Sequence, residues 1–328
     1  MVPFAIAGVQ MHVSATESNI EAMGHQLNIT MATFPWVQMV VFSELAPFGP
    51  LMQNVQTLPG PAEAAFCEMA ARHGVWLVPG SMFERDGEHV YNTASVIDPT
   101  GRVIGRHRKL FPFMPYEKGV EPGSDFLVFD VPEVGRFGLS ICYDMWFPET
   151  TRSLVAMGAE VIIHPTLTGT IDRDVERAIC RASAAINQCY MIDINGVGAG
   201  GVGRSFIADP SGHVLYESGG SNEIIPVEVD LSRVRRERET GLRGLGQPLK
   251  SFRDRKVEFP VYDRNIPQHP YLGSLGPLAM PARGSHAGID GKTLTASALP
   301  LMHGVPAFET GVGEVVDFPV LPLGEKGS

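Results

Sequence analysis

Cysteine is scarce in this chain of 328 residues, and the four present, Cys67, Cys142, Cys180 and Cys189, form neither a Cys-x-x-Cys pair nor a Cys/His zinc spacing. A disulfide framework and a zinc ribbon are therefore not expected, and free thiols in a reducing compartment are. Long apolar runs are missing too: nothing approaches the roughly 20 residues that span a bilayer. The amino terminus enters a core-like strand at Phe4 without a basic n-region, so a cytoplasmic protein with no membrane partner is expected. Basic residues are the minority, 26 against 36 acidic, for a formal charge of −10. That balance argues against nucleic acid and for a small-molecule partner. The densest basic run, Arg233 to Arg238, is interrupted by Glu237 and reads as a solvated helix face. No internal repeat is evident.

What is present is an alternation. Val/Ile-rich runs recur at Phe4–Met11, Val37–Phe42, Val75–Val78, Thr93–Ile97, Phe137–Cys142, Val161–His164, Tyr190–Ile194 and Ile224–Val229. Between them, Asn19–Thr33, Ala62–His73, Thr150–Met157 and Asp174–Asn187 carry apolar residues at helical spacing, the second bracketed by Pro59-Gly60 and Gly74. This is the pattern of α/β layering in which helices cover sheets. Residues 265–328 differ: they are rich in Pro, Gly, Ala and His and show little periodicity. We expect residues 1–264 to form one domain; for residues 265–328 two readings stand, an ordered extension on a neighbouring subunit, the favoured one, as an oligomerisation arm of a homodimer or higher homo-oligomer, or a mobile tail.

Cys142 stands where a strand-like run gives way to a helix-like one, a place where backbone N–H groups and cations can hold a thiol partly as thiolate. Glu44 ends the apolar run Gln38–Phe42, and Lys109 ends Arg106-His-Arg-Lys. A carboxylate can take the thiol proton and return one to a leaving amine, and an ammonium can stabilise an oxyanion. In order and spacing the three residues resemble the Glu-Lys-Cys triad of the nitrilase superfamily of carbon–nitrogen hydrolases. The resemblance runs from about Phe4 to Tyr262. It includes Phe42-Ser-Glu-Leu45, Val78-Pro-Gly-Ser81, Tyr91-Asn-Thr-Ala94, Tyr116-Glu-Lys-Gly119, Gly158-Ala-Glu-Val-Ile-Ile-His-Pro165 and Gly203-Arg-Ser-Phe-Ile-Ala-Asp-Pro210.

The resemblance implies a four-layer αββα sandwich and a cysteine amidase; the ten scattered histidines and the lack of a strand-Gly-helix fingerprint lead us to expect no metal and no cofactor. The resemblance also implies a Cys142 thioester, with Glu44 as proton shuttle and Lys109 with the Tyr143 N–H as oxyanion donors. Glu117 aligns with the family's second glutamate; Glu121, four residues on, is the competing candidate. Tyr143, Trp146 and Thr166 are the expected substrate-binding residues, with Leu167 and Thr168 in the same mouth. Relatives that take carboxylate-bearing substrates often place an Arg just beyond the Cys142-Tyr-Asp segment. This chain has Met145 and Trp146 there, which favours a small neutral amide. Arg173 could still reach the pocket, which keeps N-carbamoyl amino acids and ω-amides open; a nitrile substrate and N-acyl transfer are further alternatives.

Two other signals are set aside. Gly198-Ala-Gly-Gly-Val-Gly203 satisfies G-x-G-x-x-G, but the next segment, Arg204 to Gly212, reads as a strand and turn where a nucleotide site needs a helix. His164 reads as a hydrogen-bonded core residue.

Overall fold

The computed structural model describes residues 3–263, 270–273, 275 and 277–280. The first half of the chain lays down β1 (Phe4–Gln10), β2 (His12–Val13), α1 (Ile20–Thr33), β3 (Met39–Phe42), β4 (Gln56–Thr57) and α2 (Pro61–His73). It continues with β5 (Trp76–Val78), β6 (Ser81–Asp86), β7 (His89–Ile97) and β8 (Val103–Arg108). Then come β9 (Leu127–Val131), β10 (Gly135–Leu139), α3 (Pro148–Ala156), β11 (Val161–Thr166), α4 (Arg173–Asn187) and β12 (Tyr190–Asn195). The body closes with β13 (Val197–Gly198), β14 (Gly201–Val202), β15 (Phe206–Ala208), β16 (Val214–Glu217), β17 (Glu223–Val229), α5 (Leu231–Thr240) and α6 (Pro248–Arg253).

Two sheets result, one in the order β17-β1-β3-β5-β7-β6-β4 with β8 paired to β7, the other β16-β15-β12-β11-β10-β9. Side-chain alternation sorts their residues into three cores. Ile6, Met39, Val41 and Val78 of the first sheet meet Phe137, Leu139, Ile163 and Ile192 of the second. Their neighbours Ala7, Val9, Val40 and Phe42 face the other way, onto Met23 and Leu27 of α1 and Phe66 of α2. Ile162 and Met191 face outward onto Leu154 of α3 and Cys180 and Ala184 of α4. Helix, sheet, sheet and helix thus form the expected four-layer αββα sandwich. The central strands are buried on both faces, which is why they read as continuous Val/Ile runs.

Local signals set the boundaries. Helix α2 opens on Pro61 and ends where Gly74 takes φ +63, a left-handed cap that only glycine adopts freely. Strands β6, β8 and β9 do not read as Val/Ile runs because charged residues interrupt them. In β8, Arg106 pairs with Glu63 and Arg108 with Glu84. The run from Arg233 to Arg238 does lie on a helix, α5, yet it is not merely solvated. Arg233 pairs with Asp209, Arg235 pairs with Glu160, and Arg238 donates to the Ala159 and Gln188 carbonyls, pinning the helix to the sandwich.

Residues 3–258 with 278–280 form one compact unit. The described residues 259–263, 270–273, 275 and 277 belong to a second, comprising a single 3-10 turn at Pro260–Tyr262 and the short helix α7 (Pro270–Gly273). Most of the extension expected over 265–328 lies outside the described residues. Among the described residues, no helix is long and apolar enough to cross a membrane.

Candidate active site

Glu44, Lys109 and Cys142 each sit just past the carboxyl end of a strand, β3, β8 and β10 respectively, where open α/β sheets collect their reactive groups. The Glu44 N–H donates to the Thr166 carbonyl at 3.2 Å, joining the end of β3 in one sheet to the end of β11 in the other. Lys109 Nζ lies 2.8 Å from Glu44 Oε1 and 2.8 Å from Glu117 Oε2. Asn92 Nδ2 donates to the same two carboxylates, at 2.9 Å to Glu44 and 3.1 Å to Glu117. Glu121, by contrast, points outward toward His89 and is half exposed. Of the two candidates, Glu117 is the one gathered around Lys109.

Burial governs the charge states. It raises Glu44 above the ordinary carboxylate range, with the Lys109 ammonium opposing and the Glu117 charge reinforcing. Burial alone would lower Lys109, but Glu44, Cys142 and Glu117 hold it well above its ordinary value. Burial and the Glu44 charge push the Cys142 thiol well up, against the pull of Lys109. Burial and carboxylates thus favour the protonated thiol over the partial thiolate that a place before a helix suggests.

The backbone that presents Cys142 is strained. Its φ is +46°, in the left-handed region that non-glycine residues seldom occupy, at a cost of about 1–3 kcal/mol. Asp144 holds that turn. Its fully buried carboxylate accepts from the N–H of Ile141 at 3.0 Å, those of Leu110 and Phe111 at 2.9 Å, and His107 Nε2 at 3.1 Å. One side chain thus ties the Cys142 turn to the segment that follows Lys109.

Cys142 opens onto a cavity of about 410 Å³ whose walls include Phe113, Tyr116, Tyr143, Trp146, Leu167, Thr168, Asp172 and Glu176. The rings form a continuous surface: Phe113 to Tyr116 and Phe113 to Tyr143 at 5.0 Å, Tyr143 to Trp146 at 5.9 Å. A thiol opening onto an apolar cleft, with an ammonium and a carboxylate buried behind it, can perform acyl transfer through a thioester.

The model of the carbon-nitrogen hydrolase family matches residues 5–239. This chain belongs to that family.

A nitrilase of Pyrococcus abyssi is 31% identical over 268 residues, 77% of this chain and 98% of its own. The 2-oxoglutaramate amidase of Bacillus subtilis is 34% identical over 185 residues, 55% of this chain and 71% of its own. The crystal structure of a carbon-nitrogen hydrolase from Helicobacter pylori superposes with a TM-score of 0.68 at 25% identity, covering 79% of this chain and 97% of that one. The protein is a thiol hydrolase of carbon–nitrogen bonds from the amidase-like part of the nitrilase superfamily.

In this carbon–nitrogen hydrolase several expected placements shift. Tyr143 and Trp146 line the cavity, but Thr166 is buried beneath it, its hydroxyl 3.3 Å from that of Thr168. Strand β11 ends at Thr166, and Thr168, two residues on, reaches the wall with its hydroxyl 3.9 Å from Cys142 Sγ. Met145 is core, packed with Leu154 and Cys180, and only Trp146 replaces the missing arginine at the surface. Arg173 does not reach the cavity. Its guanidinium is 1% exposed and committed to Asp193 at 2.7 Å, Glu176 at 3.2 Å and the Arg204 carbonyl at 2.9 Å. Asn92, Asp144, Phe113, Tyr116 and Glu176 were not singled out from sequence; Asn92 sits inside the Tyr91–Ala94 motif and Glu176 one turn along α4 from Arg173.

His164 is a core residue, its Nδ1 2.8 Å from Ser140 Oγ, and burial lowers its pKa to about 4. The Gly198–Gly203 segment forms the β13–β14 hairpin and runs on toward strand β15, so no helix follows it to receive a pyrophosphate. Among the described residues no group of three or more His, Cys, Asp or Glu could hold a metal ion.

Gly80 supports Glu44 from below. At φ +78° a Cβ there would collide with the Ser43 carbonyl oxygen. Gly80→Ala is expected to destabilise the protein by more than about 1 kcal/mol and, by displacing Glu44, to lower kcat on the order of a hundredfold. Thermal melting and steady-state kinetics check the two effects separately; unchanged values would show that the β3 end tolerates displacement.

Proposed function

We propose that this enzyme is an amidase acting on small amides without a carboxylate, through a thioester on Cys142. Glu44 takes the thiol proton as Sγ attacks the carbonyl carbon, and the oxyanion of the tetrahedral intermediate is received by Lys109 and the Tyr143 N–H. That N–H belongs to the first turn of the 3-10 helix Cys142–Trp146, where backbone donors have no partner within the helix. Glu44 returns the proton to nitrogen, the C–N bond breaks, and ammonia or an amine leaves. The same carboxylate then deprotonates a water that attacks the thioester; the C–S bond breaks and the thiolate regains its proton. Glu117 and Asn92 keep Lys109 and Glu44 in register throughout.

The observation that carries this reading is Lys109 Nζ held 2.8 Å from both Glu44 and Glu117, behind a buried thiol at the base of an aromatic cavity. Among the described residues no lysine or arginine lines that cavity, which supports amides over ω-amide acids and N-carbamoyl amino acids. The reading includes residues 1–264 as the catalytic domain, residues 265–328 as an oligomerisation arm of a homo-oligomer, and a cytoplasmic location free of nucleic-acid or membrane partners.

Ammonia release from a panel of simple amides, carbamoyl compounds and nitriles tests it. Neutral amides are expected to exceed matched carboxylate-bearing amides in kcat/KM by roughly ten- to a hundredfold, the worth of an absent charge-assisted hydrogen bond, with nitriles inert. A preference for the acid would overturn the carboxylate-free assignment, and turnover of nitriles alone would overturn amide hydrolysis.

A further inference from the structure

The charge of the cavity is one-sided. Its acids are Asp172, at the start of α4, and Glu176, one turn further along, and no cation among the described residues lines it. The Asp172 carboxylate makes no cap hydrogen bond to its helix and pairs with no cation among the described residues. Glu176 Oε1 accepts from Thr168 Oγ1 at 3.0 Å and from Trp146 Nε1 at 3.3 Å, which places this acid between the nucleophile's neighbour and the aromatic wall. Arg173 partly balances Glu176 from behind but is shared with Asp193. The rings of Phe113, Tyr116, Tyr143 and Trp146 line the same cavity. Aromatic faces and carboxylates together attract a cation and repel an anion.

We infer that the preferred substrate of this amidase carries a positive charge, a protonated amine or quaternary ammonium, at the far end of its acyl chain. The inference rests on the amide-hydrolase reading and adds a charge preference to it. With the amide carbonyl at Cys142, the acyl chain runs along the rings toward Asp172. The cation displaces water from the aromatic wall without leaving a carboxylate of the cavity unpaired. A neutral chain packs on the same rings but leaves both acids as they were. A carboxylate there meets Asp172 and Glu176 with no cation to receive it.

Three closely matched primary amides test this with the full-length enzyme: δ-aminovaleramide, hexanamide and adipamate, whose chains end in ammonium, methyl and carboxylate. The expected order of kcat/KM is cation, neutral, anion, with about tenfold between successive members at low salt. The advantage of δ-aminovaleramide over hexanamide should shrink as ionic strength rises. Asp172→Asn should narrow that ratio severalfold, and circular dichroism confirms that the variant is folded. If hexanamide is hydrolysed as fast as δ-aminovaleramide, or adipamate faster than either, the charge preference is overturned while amide hydrolysis stands. If none of the three releases ammonia, both readings fall together. A ratio untouched by Asp172→Asn and by salt removes Asp172 from the assignment and overturns it.

Discussion

Cys142→Ala is expected to reduce hydrolysis to the assay floor, a loss of more than roughly a thousandfold, while the protein melts within about 1 kcal/mol of the parent. Among the described residues Cys142 is the only cysteine lining the cavity, and the change removes its sulfur and leaves the Cβ methyl, a small loss of volume. The fold has little reason to notice. Alanine and cysteine bear the same Cβ, so the strain of φ +46° is shared by both, and the Asp144 clamp does not touch the sulfur. Measuring kcat/KM beside the thermal midpoint separates chemistry from stability. Activity within tenfold of the parent would sink the covalent mechanism.

Glu44→Gln should slow turnover by about 10²–10⁴-fold, the usual worth of a positioned general base. Glutamine is isosteric and keeps an oxygen toward Lys109 Nζ and Asn92 Nδ2, so the network is expected to persist without its proton shuttle. Two signatures distinguish this from simple misfolding. The thioester should accumulate, because the water that cleaves it has lost its base, and intact-protein mass spectrometry should show Cys142 carrying the acyl group. The pH profile should also change. Glu44 works as base only when ionised, and burial raises its pKa, so wild-type kcat/KM should fall with acidification already above the ordinary glutamate range. In the glutamine variant that acid limb should vanish. An unchanged limb would assign it to another group and overturn this role for Glu44.

Much of the architecture was legible because burial writes itself into sequence. Strands sealed on both faces must be continuously apolar, so β1, β3, β11 and β12 announced themselves as Val/Ile runs, and Gly74 announced the end of α2 through the φ that its cap requires. The same runs fit a doubly wound sheet equally well. Layering depends on which face of a strand meets which partner, and a segment buried on both faces carries no periodicity that records this.

Glu44, Lys109 and Cys142 could be nominated from sequence because each follows a strand within a motif whose flanks are distinctive, and Glu117 from its Tyr-Glu-Lys-Gly context; the fold brings Lys109 against Glu44 and Glu117. Their ionisation could not be read from sequence. The position of Cys142 before a helix suggests a partial thiolate, yet burial and the carboxylates that arrive after β3 and on α4, Glu44 and Glu176, push the thiol the other way. The polarity of the cavity was decided in the same way. Arg173 reads as a candidate anchor for an acidic substrate until the fold brings the buried Asp193 of β12 within 2.7 Å and claims it. Glu176 and Asp172 are left to set the sign of the charge that the cavity receives. The sequence alone determined the family and the central strands and nominated Glu44, Lys109 and Cys142 as a set, because those readings are local or follow from burial. Only the tertiary structure decided which charges neutralise one another, because electrostatic partners are chosen by proximity in space.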